Sequence, residues 1–248
     1  MAISKITGGA LVRKLNAVID PAYSFHSHHY LRHNARRLEH LASLGISVAG
    51  MRVLEVGAGI GDHSEYYLDR GCEIVITEAR QENLKYLRRR YPEQIVEWLD
   101  LEQPVSIGGA PFDVVHCYGL LYHLNNPGQA LDYMSRHCKH MLFLETCVSF
   151  GGEKGINPVS EKQSDFTQAV SGKGCRPTRP WLFEKLQSLF DYVYVTTTQP
   201  NHNEFPLDWT APGKHTASLS RAVFVSSRQP LQNERLSAGL LDHQERHP

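Results

Sequence analysis

The sequence predicts an α/β fold in which a mostly parallel sheet carries helices on both faces. Three observations predict it. Short apolar runs at 51–56, 73–77, 94–98, 112–117 and 140–145 alternate with stretches of helical character. The first run ends in a glycine turn, Gly57-Ala58-Gly59-Ile60-Gly61. A length of 248 residues also suits one α/β domain with a large core.

Residues 1–50 read as a helical N-terminal cap, with Leu31, Leu38, Leu41 and Leu44 at helical spacing. The cap carries His26, His28, His29, His33 and His40. His29 and His33 have the i, i+4 spacing of metal ligands, but no carboxylate or cysteine interleaves in the usual pattern. The cap is therefore read as a solvated or substrate-capping helix, and no metal ligand is assigned. Met51 to Val56 reads as a buried strand and Ser64 to Asp69 as a helix, so the glycines occupy a strand-to-helix turn. Gly57 and Gly59 can take backbone angles closed to other residues and leave no side chain between backbone and ligand. Free N–H groups of the following helix point into the turn, which suits a nucleotide-like ligand. The spacing is G-x-G-x-G, not the dinucleotide G-x-G-x-x-G, and Glu55 stands just before it. That carboxylate would repel a pyrophosphate and attract an ammonium group.

Further along, Glu73 to Thr77 forms a second strand that ends at Glu78. Glu78 lies about 20 positions after the glycines, where an acidic residue accepts from ribose hydroxyls. Gln81 to Tyr91 is a basic helix closed by Pro92, Gln94 to Trp98 a third strand, and Leu99-Asp100-Leu101 follows. Phe112 to Cys117 is a fourth strand running into Tyr118 to Leu124, and Pro127 opens the next helix. His140 to Glu145 is a fifth strand. Residues 146–179 show little periodicity, and a loop of that length is functional or disordered; Gly151 to Cys175 is expected to close as a lid. A helix over 180–190 and strands over 191–198 and 221–227 complete the chain, with a polar tail expected as surface helix or disorder. The expected layout is a cap (1–50), a ligand-binding domain (51–228) with substrate-side insertions at 148–179 and 200–220, and a tail (229–248).

The motif Glu55-Val56-Gly57-Ala58-Gly59-Ile60-Gly61 resembles the first motif of class I S-adenosylmethionine-dependent methyltransferases, E/D-x-G-x-G-x-G. Asn34-Ala35-Arg36-Arg37-Leu38 is similar to the N-x-x-R-L of some small-molecule methyltransferases, whose arginine meets the cofactor's carboxylate. The resemblance runs from about residue 34 to 227. It implies a Rossmann-like seven-stranded sheet with an antiparallel last strand. It also implies S-adenosylmethionine held by Arg37, by Glu55, Gly57, Ala58 and Gly59, by Glu78 and Ala79, by Asp100 and Leu101 at the adenine, and by Tyr118.

A sulfonium methyl donor is already activated, so the protein mainly supplies proximity and alignment. A hydroxyl acceptor also needs a base or metal. His123, just past the fourth strand, has the right ordinary pKa for that base, with Glu145 as the next candidate. Ligands of open parallel sheets bind beyond the strands' carboxyl ends. That rule gathers Tyr122, Arg179, His202 and Trp209 as candidate contacts to a small organic acceptor.

Lys+Arg 26 balance Asp+Glu 26, which argues against a broad nucleic-acid footprint. A second reading, an RNA or protein methyltransferase, would use Arg88-Arg89-Arg90 and the basic 154–179 stretch. No run is apolar and long enough for a membrane span. Five cysteines without a C-x-x-C pair read as those of a reduced, cytoplasmic protein, with Cys72 and Cys117 as small core residues. Nothing in the sequence sets an oligomeric state.

Overall fold

The computed structural model describes residues 20–248; the first part of the expected cap, residues 1–19, lies outside the described residues. A short helix α1 (Ala22–Phe25) leads into α2 (His28–Ser43), whose first turn is capped by the Ser27 hydroxyl accepting from the Tyr30 amide. β1 (Arg52–Val56) follows, buried on both faces from Val53 onward, as its mostly apolar run requires. It lies between β2 (Glu73–Glu78) and β4 (Phe112–Tyr118), parallel to both, with Leu54 opposite Val75 and Val115.

The remaining elements are α3 (Ser64–Leu68), α4 (Gln81–Arg90), β3 (Ile95–Trp98), α5 (Pro127–His137), β5 (Cys138–Cys147), β6 (Ile156–Ser160), β7 (Lys173–Pro177), α6 (Arg179–Gln187), β8 (Tyr192–Thr196), β9 (Thr198–Gln199), β10 (Arg221–Ser227), β11 (Leu236–Ser237) and β12 (Glu245–Arg246). Side chains start the two long helices after the fourth strand. Asn126 accepts from the Gln129 amide ahead of Pro127, and Thr178 from the Trp181 amide ahead of Pro180.

The main sheet has the order β11-β8-β10-β5-β4-β1-β2-β3. Strands β3, β2, β1, β4 and β5 are parallel, and β10 inserts antiparallel between β5 and β8. The doubly wound, Rossmann-like reading therefore holds, with eight strands in place of seven. One buried cluster, with Leu54, Val115, Leu131, Leu182 and Phe224, fills one face; Leu41, Val53, Tyr67, Ile76 and Phe143 belong to the cluster on the other.

Two expectations are corrected. The 146–179 stretch is not structureless: β6 and β7 pair antiparallel, from Ile156 opposite Pro177 to Ser160 opposite Lys173. Glycine, proline and lysine in these strands hide the usual apolar alternation, and the hairpin is specified by its docking. A Cβ on Gly174 would collide with the Tyr122 carbonyl, so β7 needs glycine to sit against the turn at 121–123. The tail is also neither helical nor disordered. β11 adds the eighth strand beside β8, and β12 pairs with β9. Its polar side chains carry it: the Gln244 amide donates to the Thr196 carbonyl, and Gln244 Oε1 accepts from Gln199 and Trp209.

All five cysteines are free and buried. Among the described residues no helix is long and apolar enough to cross a membrane.

Candidate active site

The carboxyl ends of β1, β2 and β4 open into a cavity of about 330 Å³. Its walls come from the glycine turn, α2, the 99–103 segment, the 118–124 segment and the hairpin loop at 166–171. Gly57 and Gly59 stand at φ +67° and +61°, and a Cβ at either would strike Leu120 or Phe25. The turn thus requires glycine for conformation and for space.

Glu78 is buried at the end of β2 and organises this floor. Its Oε2 accepts from the Gly59 amide at 2.8 Å, while Oε1 accepts from the Ala79 and Arg80 amides at 2.9 and 2.8 Å. Burial raises its pKa, against the pull of those three amides. Glu55, one strand over, is pushed up to about 8 by burial, with the Ser64 hydroxyl at 2.5 Å working the other way. Burial therefore favours the protonated form of Glu55, and a cation beside it would favour the carboxylate. Replacing Glu78 with alanine is expected to weaken ligand binding by roughly 1–3 kcal/mol, the cost of a lost charge-assisted network; titration calorimetry reads it, and unchanged affinity would remove Glu78 from the site.

From α2, Asn34 and Arg37 reach the opposite wall one helical turn apart. Arg37 donates to Asn34 Oδ1 at 2.6 Å and to Glu145 Oε2 at 2.8 Å, and its buried Nε has no partner among the described residues. Asp62 ties this helix to the turn, accepting from Asn34 at 3.3 Å and from Arg90 at 2.6 Å. Beneath lies a chain of rings: the Tyr67 hydroxyl on His116 Nδ1 (2.9 Å), and His116 Nε2 on His63 Nδ1 (3.3 Å). Burial lowers both imidazole pKa values, that of His116 to about 3. His63 Nε2 and the Tyr118 hydroxyl are buried without partners among the described residues.

His123 lines the same cavity, and its Nδ1 lies 2.5 Å from Glu161 Oε2. Glu161 stands just beyond β6 and also accepts from the Ala169 amide at 2.8 Å. The contact assigns the Nδ1 proton to His123, leaving Nε2 able to accept another. Burial holds the His123 pKa below its usual value, and the Glu161 carboxylate opposes this only in part. On Glu161, burial acts upward, but the His123 contact outweighs it and the net shift is down. The pair therefore rests as neutral imidazole and carboxylate. The hairpin loop itself is latched by Arg80, which donates to the carbonyls of Gln163, Gln168 and Ala169, and by Asn83, which donates to that of Phe166.

The structure brings together Arg37, Glu55, Gly57, Ala58, Gly59, Glu78, Ala79, Asp100, Leu101, Tyr118 and His123. It does not bring the other candidates to the cavity. Glu145 is fully buried between Arg37 and Arg221 (2.8 and 3.0 Å) and is turned away from the cavity. The Tyr122 hydroxyl accepts from Arg221, Arg179 stacks on Trp209 with its guanidinium 4.0 Å from the ring centroid, and His202 packs against His33. The strand-end rule collects segments, but which side chains turn inward depends on packing. Glu161, Arg80 and Asn83 escape the sequence reading, although the 151–175 stretch that supplies the 166–171 wall is the one expected on the substrate side. Only hairpin docking places them, and no local spacing announces it.

This arrangement, a doubly wound sheet with a glycine floor and an acidic residue at the end of β2, is that of a methyltransferase domain. The family described as "Methyltransferase domain" matches residues 26–205, and the chain belongs to it. Among curated relatives, ubiquinone biosynthesis O-methyltransferase of Xylella fastidiosa (strain M23) is 30% identical over 148 residues, covering 56% of this chain and 54% of that one. Glycine N-methyltransferase of Mus musculus is 25% identical over 172 residues, covering 64% and 56%. The chain spans about half the length of the curated relatives it matches. Of solved structures, the N-terminal domain of EvdMO1 in the presence of SAH and D-fucose superposes with a TM-score of 0.62 at 19% identity, over 92% of this chain and 100% of that one. This likeness confirms the fold.

Proposed function

We propose that the chain is an S-adenosylmethionine-dependent methyltransferase that moves a methyl group to a hydroxyl of a small-molecule acceptor. The carrying observation is the His123–Glu161 dyad, a neutral imidazole backed by a carboxylate on the wall of the glycine-floored cavity. Relatives named for O- and for N-methylation both match, and the dyad favours oxygen, the acceptor that must lose a proton during attack.

The residues fit the cofactor. The unpartnered Arg37 Nε suits a carboxylate and Glu55 an ammonium group, while Glu78 keeps lone pairs for ribose hydroxyls. Asp100 and Leu101 line the cavity beside the turn, suited to an adenine. When bound, S-adenosylmethionine supplies an activated methyl group on a sulfonium sulfur. His123 then takes the acceptor's hydroxyl proton on Nε2, and Glu161 holds the imidazole and stabilises the charge it gains. Phe25, Tyr30, Leu120 and Phe166 form apolar and aromatic wall suited to a small organic acceptor.

The alternative, an RNA or protein acceptor, keeps only part of its basic surface, with Arg88, Arg89, Lys162 and Lys173 exposed. Arg90 is engaged with Asp62, Lys154 pairs with Glu184, and Arg176 turns in to the Tyr122 carbonyl. Free, buried thiols suit a reducing cytoplasm, which we propose as the location. A panel of phenols, sugars and hydroxy acids with methyl-labelled cofactor tests the reading. Transfer to a small hydroxyl compound, little affected by salt, is expected; transfer only to RNA or protein, falling steeply with salt, would overturn it.

The 161–172 loop is proposed to open for entry and close as a lid. Arg80→Ala is expected to speed its hydrogen exchange while β1 keeps its protection. Equal, strong protection in both proteins would remove the lid.

A further inference from the structure

Beside the cavity wall, the N-terminal half of the cap helix carries a second constellation. His29 and His33 project one turn apart from α2 toward His202 and Glu204, which belong to the loop between β9 and β10. His29 Nε2 is 3.4 Å from Glu204 Oε1, and His33 Nε2 is 3.9 Å from Glu204 Oε2. Ligand atoms of His33, His202 and Glu204 all lie within 4.8 Å of one another. The ring centroids of His29 and His33 are 5.3 and 4.9 Å from that of His202, and 6.3 Å from each other. Imidazoles sharing one tetrahedral ion through bonds of about 2.0–2.1 Å have centroids roughly 5 Å apart, and their ligand atoms are roughly 3.4 Å apart. His33, His202 and Glu204 are close to that spacing, and His29, exposed and 3.4 Å from Glu204 Oε1, would complete the set by turning its ring.

His33 supplies an independent sign. It is 2% exposed, and its Nε2 has no hydrogen-bond partner among the described residues although it faces this cluster. A buried, unpartnered imidazole nitrogen is costly unless something binds it.

The surroundings fix the ligands from behind. Arg221 Nε donates to Glu204 Oε2 at 2.7 Å, which leaves Oε1 toward His29. Arg246, from β12, donates to the carbonyls of Pro200, His202 and Phe205 and braces the loop bearing both ligands. The competing contacts are that Arg221 bond and a long 3.4 Å approach of the Glu204 amide to His202 Nδ1. The sequence showed the paired histidines without an interleaved carboxylate. The fold brings that carboxylate in from the far end of the chain.

We infer that His29, His33, His202 and Glu204 form a binding site for a zinc-type divalent cation, which clamps the cap helix to the 200–205 loop. Four protein ligands of three imidazoles and one carboxylate suit zinc in a closed, structural site. The inference stands apart from the proposed methyl transfer. An ion there would fix the helix that presents Asn34 and Arg37 to the cavity, without touching the reacting groups.

Chelator-treated full chain, dialysed against Zn(II) and measured by elemental analysis, is expected to retain one ion per chain. With Co(II) it should show the visible bands of tetrahedral nitrogen–oxygen coordination. His29 is exposed, so His29→Ala is expected to fold; it should weaken Zn(II) binding by at least about 10–100-fold, the loss that removing even an outer-shell partner brings. His33→Ala/His202→Ala should lose stoichiometric binding, with circular dichroism confirming the fold. His137→Ala, in a ring stacked on Tyr133 elsewhere in the chain, should bind as the parent does. Failure of the parent chain to retain zinc, or His29→Ala binding with parental affinity, would overturn the site.

Discussion

His123→Ala is expected to cut turnover by about 10²–10⁴-fold, the usual worth of a positioned general base, with little change in S-adenosylmethionine affinity. Among the described residues no hydrogen bond joins the His123 ring to the glycine turn, and its Nδ1 is turned to Glu161. The working form is the neutral imidazole, and burial sets its pKa below the ordinary histidine value of about 6.5. Activity should therefore be level through neutral pH and fall only as the pH drops through that lowered value. Glu161→Gln keeps the shape but removes the charge that stabilises the imidazolium. It should lower turnover more than it raises KM and move the acid limb of the profile downward. A His123→Ala protein with near-normal turnover would exclude the base. If His123→Ala lost cofactor binding and stability together, the residue would be a brace for the 118–124 segment.

The second large effect falls on stability. Glu145 lies fully buried and holds Arg37 Nη1 at 2.8 Å and Arg221 Nη1 at 3.0 Å. Glu145→Ala leaves two guanidinium groups in the interior with one carboxylate, Glu204, within reach of Arg221 alone. Breaking a buried ion pair in this way costs about 3–5 kcal/mol. Urea unfolding should show a lower midpoint at an unchanged slope. Cofactor binding should weaken as well, because Arg37 loses its anchor. Glu145→Gln, which keeps the volume, should fall between the two. A destabilisation under about 1 kcal/mol, with turnover abolished, would restore Glu145 as a base and displace His123.

The sequence made the ligand floor legible because its constraints are local. Glycines at positive φ, a strand that must be apolar on both faces and an acidic residue at the next strand's end are all set within a few residues of one another. The same holds for Asn34 and Arg37, one turn apart on one helix. What escaped was set by long-range packing. Glu161 reaches His123 only because Gly174 lets β7 lie against the 121–123 turn. The 229–248 tail looked like solvent-exposed chain, yet Gln244 makes buried hydrogen bonds to β8 and β9. Tyr122, Arg179, His202 and Trp209 do lie near strand ends, as topology required. Their side chains are taken up by Arg221, Trp209, the cap histidines and Gln244 respectively, pairings that no single-chain pattern reveals.

The central claim is that the β1–β2 floor binds S-adenosylmethionine. Titration calorimetry of the purified chain with S-adenosylmethionine, S-adenosylhomocysteine and NAD tests it most directly. One site per chain is expected for the first two, lost in a Gly59→Val variant whose side chain would meet Phe25, with no heat from NAD. Tight NAD binding without binding of either sulfur nucleoside would contradict it.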